Sequence, residues 1–421
     1  MQKNSFQSNT QFAFIISKLF NSPLGVMYGL LAFILCKNFN ATPFEIAVLI
    51  SSKPLVAIIS FYSVLIINDR PHNLKKLIIW STILGCLPCL FFPFFSHVWF
   101  YIFSSALFMM ANRAALPAWS EIFKLNISSE VRGKIFSQGS SINYIANIAI
   151  PLIVAPLMDY YFVSWEWIFC ILAILQIIQV LAIFSLNINH SGESFNSLKK
   201  DYKDFSLKNV LIGPWKNSWI LVKQRADFRS YLIAFFLGGS GLILVQPVLP
   251  IFFEKVLQLS YTQLALAISV CKGIGFILVS PFWARLFNRI SIHLFNFYVT
   301  LFAAIFGLIL VGMGQQVEYI YLAFFVYGVM QAGSELSWHL SGVIFSKCED
   351  STLFTGVNVA MVGLRGCIIP FLGEVLYLFN GTFTVFLVSV LFCLAGAGYS
   401  LMSDLKARKL IESDQLIGVN D

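Results

Sequence analysis

Apolar runs of about twenty residues recur along the whole of this 421-residue chain, and no other feature constrains its fold as strongly. A hydrocarbon core about 30 Å thick is spanned by roughly 20 consecutive apolar residues in a helix. Twelve such runs are read at 12–36, 43–67, 76–95, 98–120, 134–157, 165–187, 229–253, 262–284, 292–313, 318–344, 354–378 and 382–402. The break between the third and the fourth rests on the turn "PFFSHVW" alone. With 58% hydrophobic and 11% charged residues and a mean hydropathy of +0.79, the expectation is an all-α membrane protein of twelve transmembrane helices. The first run is too long for a signal peptide and lacks a small-residue cleavage site, so it is expected to be retained.

The net charge of +8 raises nucleic-acid binding, but the placement of the charges points elsewhere. Among Lys and Arg, the connections assigned to the outside hold only Lys37 and Lys255, while the other loop cations fall on the opposite side. Cytoplasmic loops carry the excess of Lys and Arg, so both termini are expected in the cytoplasm, with the chain in a cell inner or plasma membrane. The lipid bilayer is thus an expected partner and nucleic acid is not. Eight cysteines are scattered along the chain, mostly inside the apolar runs. Cys86 and Cys89 make a CxxC, but no basic residue or histidine lies within a helical turn to activate a thiol, so soft packing is expected of them.

The longest polar stretch lies between residues 188 and 228 and separates six runs from six. The expected organisation is an N-terminal six-helix bundle over 1–187, a cytoplasmic linker over 188–228, a C-terminal six-helix bundle over 229–402 and a cytoplasmic tail over 403–421. Sliding the second half over the first until Trp338 falls on Trp119 also places Pro370 on Pro151, Arg289 on Arg70 and Lys272 on Lys53, without gaps. Each of these two lysines lies about ten residues into its helix, ~15 Å deep at 1.5 Å per residue. Duplicated bundles of this kind are a common transporter plan.

With this layout, the chain resembles the major facilitator superfamily over essentially its full length. The loop "NDRPHNLKK" between the second and third runs keeps Asp69, Arg70, Lys75 and Lys76 of that family's signature and lacks its glycines; "ARLFNRISIH" is its counterpart in the second half. "SSEVRGKIFSQ" resembles the family's start of the fifth helix. The resemblance implies two pseudo-symmetric six-helix bundles, alternating access, and a cytoplasmic gate in which Asp69 and Arg70 act as a latch, with Glu121 as partner of Arg70. It also implies that every third helix packs toward lipid. The chain itself shows that spacing: intramembrane Lys, Arg and Glu occur as Lys18, Lys53, Arg113, Lys272, Glu335, Arg365 and Glu374, and the third, sixth, ninth and twelfth runs have none away from their ends.

A charge at the bilayer centre costs about 2.5–3.5 kcal/mol on insertion scales, so those that persist face a cavity or a partner. Lys53 and Lys272 are expected to approach one cavity from opposite halves, as anion-binding or gating groups or as structural pairs. Arg113 and Arg365 add guanidinium forks suited to carboxylate or phosphate, or to an ion pair with Glu335 or Glu121. Glu335 and His339 stand four apart on one helical face, the spacing of a proton-coupling pair or of a structural pair with one of the arginines. Glu374 lies nearer the outer end, as a gate or a solvated edge. Asn21 and Gln246, with Ser240, Asn143, Asn147 and Asn358, offer hydrogen bonds to a solute or between helices.

No Walker loop, zinc spacing or nucleophile elbow occurs, so no enzyme chemistry and no cofactor or metal is expected. The expected function is secondary active transport of a small organic solute, anionic or carboxylate-bearing, in a symporter using protons as coupling ion, by a monomeric chain. Two alternatives stay open: an exporter of amphipathic compounds, and a transport-dead membrane receptor or scaffold.

Overall fold

The computed structural model describes residues 2–60, 71–161, 163–188, 207–314, 316–346 and 351–417. Among them regular structure is helical throughout. The first half contains α1 (Gln2–Phe39), α2 (Pro43–Ser60), α3 (Pro71–Cys86) with a 3-10 continuation over Leu87–Phe94, α4 (Val98–Asn126), α5 (Ser129–Asp159) and α6 (Trp165–Phe184). The second contains α7 (Leu207–Gln224), α8 (Ala226–Val245), α9 (Leu249–Lys255), α10 (Tyr261–Ala265), a π-helical stretch Leu266–Cys271, α11 (Lys272–Phe287), α12 (Ile292–Gly312), α13 (Glu318–Ser346) and α14 (Ser351–Ile417).

All twelve apolar runs lie on helices, with residues 61–67 of the second run outside the described residues. The last two share α14, interrupted only at Gly381, whose φ of 73° and ψ of −170° suit a residue without a side chain. The turn before α4 is real: His97 caps the helix, its Nδ1 accepting from Trp99 N at 3.3 Å. Cys86 and Cys89 are free and fully buried, and the Cys89 thiol lies 3.0 Å from the Tyr28 hydroxyl.

The chain divides into two compact units, the first Met1–Tyr202 with Gln258–Ala265 and the second Lys203–Leu257 with Leu266–Asp421. Residues 258–265 join the first unit because its side chains hold their backbone. The Asp159 carboxylate accepts from Tyr261 N (3.1 Å), Thr262 N (2.7 Å) and Thr262 Oγ1 (2.7 Å), and Lys37 Nζ donates to Leu259 O (3.0 Å).

The internal repeat is visible in how helices start and stop. At the end of α1, Asn40 takes the left-handed conformation (φ 50°), and Thr42 and Glu45 then form a reciprocal capping box: Glu45 accepts from Thr42 N at 2.8 Å, Thr42 Oγ1 from Glu45 N at 3.3 Å. Gln258 repeats the left-handed turn (φ 51°), and Ser260 and Gln263 repeat the box at 2.9 and 3.1 Å. The offset from Asn40 to Gln258, shared by both pairs of the box, is one position shorter than the offset from Lys53 to Lys272. The extra position falls where the π-helical stretch Leu266–Cys271 lies. An i→i+5 turn takes up one residue more than an i→i+4 turn, so the helix resumes in step and Lys272 keeps the place of Lys53.

Side-chain placement on α6 follows the solvent on each face. Ile171, Ile174, Ile178 and Leu181 form one exposed stripe, while Gln176 and Gln179 are buried on the opposite face with Ala173, Val180 and Ile183. Such inversion fits a helix with lipid outside and polar neighbours inside. In the second unit α11 and α13 cross at glycines: a Cβ on Gly275 would overlap the Phe325 carbonyl, and one on Gly328 the Lys272 carbonyl. This contact fixes the backbone of Lys272. Because a backbone carbonyl cannot step aside, Gly328→Ala is expected to cost about 1–3 kcal/mol and lower the unfolding midpoint in detergent. Gly398→Ala, with no atom within 4 Å of the new methyl, should leave the midpoint unchanged or raise it.

Candidate functional site

A cavity of about 500 Å³ lies within the first unit, walled by five of its helices. α1 contributes Ser17, Lys18 and Asn21, α3 contributes Ser81 and Thr82, and α4 contributes Asn112, Arg113 and Trp119. α5 adds Asn143 and Asn147, and α6 adds the two buried glutamines, Gln176 and Gln179.

The amides are joined in series. Asn112 Nδ2 donates to Phe108 O (3.0 Å), Asn21 Nδ2 donates to Asn112 Oδ1 (2.7 Å), and Gln176 Nε2 donates to Asn21 Oδ1 (2.8 Å). This chain ties α4, α1 and α6 together through side chains. Beside it, Gln179 Nε2 donates to Thr82 Oγ1 at 3.2 Å, linking α6 to α3. Phe14 and Trp119 form an aromatic wall, their rings edge to face at 5.4 Å, and Lys18 Nζ stands 5.4 Å from the Phe14 ring centre. Among the described residues, Lys18 and Arg113 are the charged members of this lining, and no carboxylate belongs to it.

Of the residues singled out from the sequence, Asn21, Arg113, Asn143 and Asn147 meet in this cavity. Lys53, half-buried on α2, is not among its lining residues. In the second unit Lys272 lies in the electrostatic reach of Glu335, which also acts on Tyr327 and accepts from Gln331 Nε2 at 3.2 Å. Arg365 is buried and given to α8: its Nη1 donates to Phe235 O at 2.6 Å, its guanidinium lies 5.1 Å from the Phe235 ring centre, and it occupies the space that a side chain at Gly239 would take.

Gln246 is exposed where α8 ends. Ser240 donates to Phe236 O, Asn147 to Asn143 O and Asn358 to Ser341 Oγ, so these three serve local or interhelical bonds. Glu374 is buried. Asp69 and Arg70 lie outside the described residues, as do the side chains of Glu121 and His339.

Sequence reasoning passes over Asn112, Gln176 and Gln179, and counts Lys18 without assigning it to a site. The signal for the glutamines is present in "LQIIQV": two amides three apart share one face of a helix that is otherwise apolar.

Apolar helices surrounding a polar cavity in a membrane-spanning chain define the class of solute transporters. Residues 12–348 match the Major Facilitator Superfamily, and the chain belongs to that family. Three solved transporters share its fold. The nucleoside transporter NupG is 15% identical, with 94% of this chain and 99% of that one covered and a TM-score of 0.72. The peptide transporter POT in complex with sulfate is 12% identical, with 95% and 94% covered and a TM-score of 0.69. A bacterial homolog to the human lysosomal transporter Spinster, in an inward-facing and unoccupied conformation, is 10% identical, with 95% and 97% covered and a TM-score of 0.65. No curated protein matches the chain.

The amide series makes Asn21 its central link. Asn21→Leu leaves a carbonyl on the half-buried Asn112 and an N–H on the buried Gln176 without their partners, and a buried orphan costs about 1–3 kcal/mol. The unfolding midpoint in detergent is expected to fall, whereas Gln246→Leu at its exposed position should change it little.

Proposed function

We propose that the protein is a secondary active transporter that moves a small organic anion, carrying a carboxylate or a similar group, by alternating access with proton coupling. The observation that carries this reading is the charge of the first-unit cavity: among the described residues, Lys18 and Arg113 line it and no carboxylate does. Two cations beside a set of neutral amides favour an anionic group over an ammonium, and the guanidinium fork of Arg113 suits a carboxylate. Nucleosides and peptides are what the named neighbours carry; the cation-bearing lining points this chain toward acids instead.

Coupling is assigned to the second unit. While Glu335 is ionised, it holds the charge of Lys272; once Glu335 takes up a proton, Lys272 is free to attract an anion. That exchange would link proton uptake to solute binding. Lys53, at the matching position of the first unit, is proposed to act as a second attracting charge. The excess of loop cations on one side supports cytoplasmic termini and a plasma or inner membrane location.

In proteoliposomes, Lys18→Gln and Arg113→Gln should each weaken uptake of an acidic solute roughly 10–100-fold, the worth of a charge-assisted hydrogen bond, while leaving neutral solutes unaffected. Full uptake of acids by the double variant would remove the anion reading. Glu335→Gln should abolish accumulation driven by a pH gradient and spare exchange; accumulation that persists in this variant would remove the coupling role.

A further inference from the structure

The amide series in the first unit has a direction, and the direction fixes what stands at its end. A backbone carbonyl only accepts hydrogen bonds, so the Asn112 group bonded to Phe108 O is the NH2. The other end of that amide, Oδ1, must therefore accept, and it does so from Asn21. Asn21 in turn presents its own oxygen to Gln176, whose NH2 fills it. What remains is Gln176 Oε1, an acceptor with no freedom to be exchanged for a donor without breaking every bond behind it.

Gln176 is 2% exposed and lines the cavity, yet no group among the described residues donates to this oxygen. Gln179, 3% exposed, lines the same cavity and carries a second unfilled Oε1, and Ser17, another lining residue, has an unfilled Oγ. Buried acceptors left unfilled are costly, and the protein has arranged at least one that its own side chains cannot relieve.

We infer that the cavity wall formed by Gln176, Gln179 and Ser17 is a subsite for hydrogen-bond donors of the transported solute, so that the solute is an acid bearing hydroxyl or amide N–H groups. This rests on the proposed function for the acidic part only. An ammonium donor is disfavoured by Lys18 and Arg113 on the same cavity, which leaves hydroxyls and amides, as in a sugar acid or another polyhydroxy carboxylate. A site built to bond a hydroxyl discriminates steeply against the analogue that lacks it, because its acceptors then stay unfilled.

The test compares matched acids on the purified protein by ligand-induced thermal stabilisation: gluconate against hexanoate, and quinate against cyclohexanecarboxylate. The hydroxylated member of at least one pair is expected to bind at least tenfold more tightly than its partner. In Gln176→Met that ratio should fall below twofold, with the affinity of the deoxy acid unchanged. Equal behaviour of both members in every pair, including no stabilisation by either, overturns the inference, and indicates a wall that holds only water. A ratio preserved in Gln176→Met overturns it too. Should that variant not fold, the wild-type comparison and Gln179→Met decide by the same criteria. Arg113→Gln separates the two readings: if it weakens both members alike, the anion reading stands, and if it leaves both unchanged while Gln176→Met still abolishes the preference, the subsite survives and the anion reading fails.

Discussion

A backbone carbonyl cannot donate a hydrogen bond, and at Phe108 this sets the orientation of three side-chain amides on three helices. In water such a series would matter little, because each amide could turn and find a solvent partner. Partly buried between helices such partners are few, and an amide turned the wrong way faces an oxygen with its own oxygen. The α4 carbonyl therefore organises α1 and α6 at one remove and two. It also determines that the polar wall of the first unit ends in acceptors. The packing of that bundle and the chemistry of its cavity follow from the same bonds.

The second unit repeats the architecture and uses it differently. Gln331 is the counterpart of Asn112 under the offset that pairs Lys272 with Lys53, but its amide serves the Glu335 carboxylate rather than a chain of further amides. Where α1 meets α6 through Asn21 and Gln176, α8 meets α14 through glycine: a Cβ on Gly396 would lie 2.5 Å from Gly238 N, and one on Gly241 2.6 Å from Ser389 O. Helices joined by long amides keep space between them, and helices joined at glycines do not. The two copies thus share one scaffold and differ in the side-chain length at these contacts.

Much of the architecture can be read from residue order because its causes are local or periodic. Apolar run length marks the helices, the "PFFSHVW" turn marks the start of α4, and the glycine at 381 marks the break in α14. The offset between halves is legible from Lys53 and Lys272, but its shortening by one position at the capping boxes is not, since a π turn leaves no residue-type signature. The cavity is less accessible for a different reason. A search by charge finds Lys18 and Arg113 and overlooks Gln176 and Gln179, because a glutamine in an apolar helix looks the same whether it bonds a neighbouring helix or waits for a ligand. Only the partner of each amide atom tells these apart, and partners are a property of three dimensions. The same holds for Arg365, whose commitment to the α8 backbone depends on Gly239 lying beneath it.

The two units hold their intramembrane charge differently. In the second unit Arg365 donates to a backbone carbonyl and faces an aromatic ring, and Lys272 lies within the field of Glu335. In the first unit the half-buried Lys18 and the exposed Arg113 line one cavity, with no carboxylate among the described residues of its wall. Burying a cation is costly wherever it occurs, and a protein relieves that cost with a counter-charge or leaves it to be relieved by what it binds. The pattern found here divides those two solutions between the copies. A neutralised bundle is suited to respond to a proton, because losing the negative partner changes its charge by one. A bundle with standing positive charge fits the proposed anion site, and the acceptor wall beside it fits the proposed subsite for donors.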